Sequence, residues 1–596
     1  MQYLRGLMRW LSFATSVLSS LLPGVAIAQA RSQRPAIGNH STVAIGPAVA
    51  ATPIDSAKLK GLKWRNIGPS SMGGRIADFA VARTPGMPDA LYVAGAISGV
   101  WKTTDWGASW DPVFDSANGM SSIGDVTVAP SNPNVVWVGT GEADNRQSSS
   151  WGDGVYKSVD GGRHWAHMGL KETRHIGRIV IDPTNPDIVY VAALGHLWGA
   201  NPERGVFRTV DGGATWAKVL YVDEHTGAVD IVMDPQDPQT LLAATYQRQR
   251  TAWGMNGGGT GSGIYRTNDG GRTWKKLGGG LPTGELGRIG LDIYRRDGQI
   301  IYAEVEADAQ SGSPAGGGVV TTQGRKGGLY RSMDRGDTWE QMNSLNVRPM
   351  YFSQVRIDPN DPHRIYYGGT SIMTSEDGGR TFSDPGYGGQ GVHPDQHALW
   401  IDPDNSNNLV LGNDGGVFLS YNRGKTWRFV ENLPMGQFYE VDADMRDPYH
   451  VCGGLQDNGD WCVPSATRDA KGISRRDEYL VGGGDGYYVR IDPNDPNTFY
   501  VEQGGTSIKR FNYATGETRD IQPKALDKPQ RNARGDLVGA LRGNWNSPIA
   551  ISLLALIAPT LATSCLLSTG RASSCSFSTA ASTAFSIPRR TAMGLL

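Results

Sequence analysis

The chain has 596 residues, with 57 basic against 58 acidic side chains and a formal net charge of −1. That balance excludes the basic excess of a nucleic-acid surface and the acidic excess of a solvating tail. Its 80 Gly, 17 Trp and 22 Tyr, at only 19% charged residues, point to many short strands joined by tight turns.

Residues 1–30 have the layout of an export signal. Arg5 and Arg9 supply the positive start, "LSFATSVLSSLL" the short apolar run, and "AIAQA" the small residues Ala28 and Ala30 before cleavage. The expected mature protein is secreted or periplasmic; an uncleaved N-terminal anchor is the competing reading. Residues 31–60 read as a flexible leader.

From residue 61 two phrases alternate. One is a strand closing on an Asp-Pro turn and answered by a second strand, as in "GRIVIDPTNPDIVYVAA" (177–193) and "QVRIDPNDPHRIYYGG" (354–369). The other is a third strand followed by a turn, as in "RTVDGGATW" (208–216). Its Asp falls at Asp105, Asp160, Asp211, Asp269, Asp334 and Asp377, and a seventh copy has Asn422. The spacing of these residues runs from about 43 to 65, and apolar residues alternate within the strands. Four short strands per unit is the signature of a propeller blade. The expected fold is all-β: a seven-bladed β-propeller of four-stranded antiparallel blades over 61–434, then a partial second propeller over 435–552.

The turn phrase itself reads as a fastener. Its Asp can accept backbone N–H groups, its Gly residues supply positive φ, and its Trp can pack between neighbouring blades. Seven copies argue against a catalytic role, since a reaction needs one site.

The phrase matches the Asp-box or BNR repeat, S/T-x-D-x-G-x-T-W. Over roughly residues 60–552 the chain resembles extracytoplasmic Asp-box propellers. That group includes sialidases, xyloglucanase-type glycoside hydrolases built from two propellers, and the sortilin-type receptor propeller. "GTGEADNRQSSSWGDGVYKS", "TYQRQRTAWGMNGGGTGSGIYRTNDGG", "HPDQHALWIDPDNSNNLVLGNDGG" and "GGLQDNGDW" resemble a bacterial subfamily described as glycosyl-hydrolase-like or sortilin-N-terminal-like. The resemblance implies that the turn lies away from the functional face. The sialidase arginines have no counterpart, because "GRIADF", "GRIVID" and "GRIGLD" read as repeated strands. The xyloglucanase catalytic aspartates match no single positions, so no site residue is carried over.

Candidate chemistry lies where the repeat is loose. Four residues before the Asp of successive turns stand Asp78, Asp125, Arg178, Asp230, Gln354, Glu440 and Tyr488, a position that can line a central channel. Glu142 and Asp144 sit in a long loop and are candidate catalytic carboxylates. Trp151, Trp198 and Trp253 lie in comparable loops and can stack on sugar rings. "VHPDQHALW" places His393, Asp395 and His397 at alternate positions, which on a strand would face one divalent cation, with Asp414 or His196 as a further ligand. The same three residues can instead act as acid and base without metal, or form a hydrogen-bonded polar turn. Cys452 and Cys462 either bridge a hairpin or remain buried thiols.

"NWNSPIAIS" (544–552) begins like another blade, but residues 553–596 then lack Asp, Glu, Asn, Trp and Tyr altogether. A frameshift product, a membrane anchor over 549–567 and a disordered Ser/Ala tail are the three readings; Pro559, several Ser/Thr and the lack of a charged flank leave no firm anchor. Three functional expectations follow: a glycan-binding or glycoside-hydrolase-like protein acting on polysaccharide, a sortilin-like module for an extracellular peptide or protein, or an inactive truncated product.

Overall fold

The computed structural model describes residues 61, 65–67, 74–146, 149–307, 318–320, 326–470, 472–504, 507–522, 530–531, 537–538 and 545–551. The export signal, the leader up to residue 60 and the tail 553–596 lie outside the described residues. Among those described there is no α-helix, only strands and four single-turn 3-10 segments.

The strands group into successive antiparallel sheets, each built on a four-stranded meander in chain order; Gly254–Gly257 adds a fifth strand to the fourth sheet, and Gly318–Val320, from the loop of the fifth sheet, adds one to the edge of the sixth. Sheet 1 is Ile76–Ala82, Ala90–Gly95, Val100–Thr103 and Asp111–Pro112. The first strands of sheets 2 to 7 are Ile123–Ala129, Ile176–Ile181, Thr226–Met233, Ile289–Ile293, Gln354–Asp358 and Gln396–Ile401. Each packs against the first strand of the next sheet, and Gln396–Ile401 packs back on Ile76–Ala82. Seven sheets therefore close into a ring. One apolar cluster spans the seam: Ile76, Phe79 and Leu91 from sheet 1 with Val410, Leu419 and Met435 from the end of the ring.

Aspartates on the first strands tie neighbouring sheets together. Asp78 accepts the Val126 N–H (3.3 Å), Asp125 that of Ile179 (3.1 Å), Asp230 that of Leu291 (2.8 Å) and Asp292 that of Ile357 (2.7 Å). In the third sheet the position holds Arg178, whose Nε lies 2.7 Å from Asp230. Asp78, Asp125, Arg178, Asp230 and Gln354 do line the central lumen, joined by Asp292 and Arg356. Glu440 and Tyr488 do not: they belong to the sheets after the ring and bond to each other.

The turn phrase closes on itself. Thr209 Oγ1 donates to Asp211 Oδ1 (2.7 Å), the Thr215 N–H to the same oxygen (2.9 Å), and Thr215 Oγ1 to Oδ2 (2.6 Å). Gly212 and Gly213 take φ of 68° and 96°, which only glycine adopts at low cost. Trp216 Nε1 reaches back to the Met168 carbonyl of the previous sheet (2.7 Å). The phrase joins third to fourth strands, so in an antiparallel meander it lies on the face opposite the loops joining second to third strands.

Two further four-stranded sheets follow the ring, and after them a two-stranded pair of Gln530–Arg531 and Leu537–Val538. Sheet 8 is Phe438–Ala443, His450–Leu455, Gly459–Pro464 and Tyr479–Gly482; sheet 9 is Val489–Ile491, Thr498–Glu502, Ile508–Asn512 and Glu517–Asp520. They share a small core of Val481, Val489, Phe499 and Val501 around a Cys452–Cys462 disulfide that bridges directly opposed residues. Ile491 N–H bonds Asp442 (3.3 Å), the same bracket as in the ring. The bridge closes a loop with a sequence separation of 10. Replacing both cysteines by alanine is expected to cost about 2–3 kcal/mol by denaturant unfolding, and reductant should then change nothing further.

Candidate functional site

The loops joining second to third strands, and each sheet to the next, gather on one face. Segment 142–146 leaves the strand Asn132–Thr140 and is held by residues of all seven ring sheets, which places it on the axis. Glu142 N–H donates to Ser122 (3.0 Å), its carbonyl accepts from His175 (2.8 Å), and its carboxylate lies 2.8 Å from Arg75 Nε. Arg248 donates to the Ala143 carbonyl (3.1 Å). Arg288 donates to Asp144 (2.7 Å), and His397 Nδ1 lies 3.1 Å from the other Asp144 oxygen. Asn145 N–H reaches the Met350 carbonyl (3.3 Å), and Arg146 donates to the Tyr351 hydroxyl (3.2 Å). The lumen is thus covered on the loop face. On the turn face it opens into a mouth of about 430 Å³ walled by Val81, Val128, Ile293, Trp400 and Pro403.

Glu142, Asp144 and His397 therefore meet, across 255 residues of sequence, in one buried charge network. Its fourth corner is Asp414, 2.7 Å from His397 Nε2 and accepting from the Tyr351 hydroxyl (2.9 Å). Burial alone would strip the His397 proton, but Asp414 and Asp144 on either side hold its pKa up at about 10. Burial opposes the charge on Asp144 too, yet Arg288 and His397 bring its pKa down to about 2. His397 and Arg75 likewise hold Asp414 well below the usual carboxylate range against burial. Glu142 goes the other way: burial outweighs Arg75 and pushes it up to about 7.

The three-residue cation site expected at 393–397 is not assembled. The strand starts only at Gln396 and carries a bulge between Gln396 and Ala398, so the alternation behind that expectation fails. Asp395 sits at φ 66°, and its carboxylate faces Arg348 at 3.7 Å. His393 places its ring nitrogens at the carbonyls of Pro394 (2.9 Å) and Asp457 (3.3 Å). His196 lies elsewhere, 3.3 Å from Glu172. Among the described residues no group of three or more His, Cys, Asp or Glu is arranged to hold a metal ion.

Beside the network lies a more open acidic group that single-stretch reading missed. The turn at Asp457 reaches from sheet 8 to the ring, where Asn458 donates to the Asp414 carbonyl (3.0 Å). Asp485, from loop 482–486, accepts the Asp457 N–H (3.0 Å). Burial, then Asp414 and Asp485, push the Asp457 carboxyl up to about 8, so it is protonated at neutral pH. Asp395 is raised by burial and Asp414. The signals were "QDNG" and "GGGDG", two Gly-flanked acids in turns.

Trp151, Trp198 and Trp253 are all exposed on loops of sheets 2, 3 and 4. Trp253 tips the hairpin formed by Leu241–Thr251 and Gly254–Gly257, and Arg250 covers the Trp198 ring at 5.8 Å.

The family described as Sortilin-Vps10 (sortilin, neurotensin receptor 3) matches residues 153–314. A Paenibacillus xyloglucanase is 23% identical over 361 residues, covering 54% of this chain and 32% of its own. A xyloglucanase of Acetivibrio thermocellus is 25% identical over 287 residues, covering 42% and 31%. The chain spans about a third of the length of these relatives. The solved GH74 xyloglucanase of Xanthomonas campestris superposes with a TM-score of 0.49 at 14% identity, covering 78% of this chain and 76% of that one. Over part of its length the chain is thus similar in sequence to xyloglucanases, and its ring of antiparallel sheets is a β-propeller.

Proposed function

We propose that the chain is an exported, glycoside-hydrolase-like propeller that engages polysaccharide on its loop-rich face. The observation that carries this reading is the pair of neighbouring carboxyls with opposed states. Asp457 is protonated near neutrality while Asp414, next to it, is held ionised. Groups pushed apart in this way divide acid from base roles. Asp457 would protonate the leaving glycosidic oxygen, and Asp395 would supply the opposing carboxylate. Glu142, Asp144 and His397 hold the site from below rather than touching substrate. Trp151, Trp198 and Trp253 offer rings to sugar faces. The xyloglucanase relatives support a plant-type β-glucan as substrate.

A panel of polysaccharides scored for new reducing ends tests this reading. Release from at least one β-glucan is expected. No release from any of them, together with unchanged migration of the protein in polysaccharide-containing native gels, would overturn it.

The match to the sortilin family over 153–314 favours a second reading, capture of an extracellular peptide or protein. Since segment 142–146 covers the lumen on the loop face, a peptide would have to lie across that face or enter from the turn face. Pull-down of peptides by a protein inert toward polysaccharide would favour it.

A further inference from the structure

Three exposed tryptophans occupy one repeated place in the fold. Trp151, Trp198 and Trp253 each stand in the connection from second to third strand, in sheets 2, 3 and 4. No other such connection in the ring contains a tryptophan. They are 55%, 58% and 89% exposed. Single exposed rings need no explanation, but three at one position of consecutive sheets do.

The loop that carries Trp198 is built around one side chain. Arg204 is fully buried and directs all five of its donors at that loop and its neighbour. Nε donates to Asn201 Oδ1 (2.9 Å), Nη1 to the carbonyls of Leu194 and His225 (both 3.1 Å), and Nη2 to those of His196 and Gly199 (both 2.6 Å). Residues 194–201 are thereby wrapped about a guanidinium, and Trp198 is held outward on them. The Leu197 carbonyl accepts the Arg250 N–H (2.8 Å), and the Arg250 guanidinium lies over the Trp198 ring at 5.8 Å.

Polar groups bridge the rings. On the sheet 2 side the Gly152 N–H, next to Trp151, bonds the Arg174 carbonyl (2.6 Å). Arg174 donates to Glu172 (3.0 Å), and Glu172 lies 3.3 Å from His196 Nε2. On the sheet 4 side the hairpin runs on from Arg250 to Trp253, at most about 10 Å further along. Aromatic rings thus alternate with hydrogen-bonding groups of both charges. A sugar chain, with apolar ring faces edged by hydroxyls, matches that alternation. A protein partner would call for a continuous apolar centre instead. Sheets 3 and 4 are also the two farthest round the seven-sheet ring from sheet 7, which with sheet 8 carries Asp414 and Asp457.

We propose that Trp151, Trp198 and Trp253 form one track across sheets 2 to 4 that binds a neutral polysaccharide chain at a distance from the acidic group, with Arg204 as the positioning residue for Trp198. The track rests on the polysaccharide reading above and adds to it a second place of attachment. A polymer held there keeps its remaining length near Asp457 at a raised effective concentration.

The test is native electrophoresis of the full chain in gels of graded xyloglucan content, with calorimetry on β-glucan oligosaccharides of increasing length. Trp198→Ala and Trp253→Ala are each expected to weaken retention about tenfold, the loss of one stacked ring, and the double substitution by more than either. Trp198→Tyr keeps a ring and should hold most of the affinity. These three side chains are exposed, so the variants should keep the parental unfolding midpoint. Arg204→Lys keeps the charge but not the five-donor fork, and should lose about as much as Trp198→Ala with Trp198 still present. Affinity should rise with chain length in the parent and rise less in Trp253→Ala. Parental retention by both alanine variants would overturn the track while leaving the polysaccharide reading in place, and parental retention by Arg204→Lys would remove the positioning role. An equal loss at every chain length would mean that the rings do not act along one chain, and would overturn the track too. A parent that no β-glucan retards would remove the reading and the track together.

Discussion

Replacing His397 by alanine is expected to cost the protein about 3–5 kcal/mol, because Asp144 and Asp414 would then stay buried without the cation between them. The pH dependence is set by the directions of the shifts. The folded His397 titrates at about 10 against an ordinary 6.5, so its stabilisation is complete below pH 6.5 and is lost as pH rises through 10. Asp144, at about 2 against 3.8, and Asp414, also depressed, stabilise above pH 3.8 and lose that contribution as pH falls through their folded values. The parent and His397→Ala should therefore differ most between about pH 4 and 6.5 and converge toward pH 10. Glu142, raised to about 7 from 4.5, adds a loss of stability to the parent as pH rises between those values. Urea unfolding at pH 5, 7 and 9.5 checks this. A difference below about 1 kcal/mol at pH 5, or one that does not change with pH, would mean that the histidine does not carry the network.

The repeat made the ring legible. Alternating apolar residues, Asp-Pro turns and the Asp-Gly-Gly-Trp phrase each depend on a few neighbours in sequence, and each formed as those neighbours require. The channel position was legible for the same reason at Asp78, Asp125, Arg178, Asp230 and Gln354; the count missed Asp292, where the fifth unit has no Asp-Pro turn, and Arg356, and it ran on past the ring to Glu440 and Tyr488. What stayed hidden depends on closure. Glu142, Asp144 and His397 stand out as candidates one by one, but only a ring that returns sheet 7 to sheet 1 brings them together. The tripeptide Gly-Arg-Ile shows how local likeness misleads. Arg75 and Arg288 each stand just before a first strand and pair with the axial segment, whereas Arg178 lies three residues further in and faces the lumen. Similarly, one residue with positive φ, Asp395, undid the alternation on which the cation site rested. Asp457 and Asp485 are separated by 28 residues and meet only because sheet 8 folds its turn against its own following loop.

Asp457→Asn is expected to lower kcat on polysaccharide by about 10²–10⁴-fold while leaving the protein folded, since it removes the proton donor and none of its packing. An acid at about 8 must be protonated to work, so activity of the parent should fall as pH rises through 8. Asp485 contributes to that high value through the like charge beside it. Asp485→Asn should therefore move the alkaline limb of the profile to lower pH, the direction that follows when repulsion of the ionised form is removed. The decisive contrast uses the leaving group. A substrate whose aglycone departs without protonation, such as a dinitrophenyl glycoside, should be cleaved by Asp457→Asn at close to the parental rate. A structural role for Asp457 would depress both substrates equally. Equal loss on both, or an alkaline limb that Asp485→Asn leaves in place, would take the acid role away from Asp457 and return the search to Asp395 and the axial carboxylates.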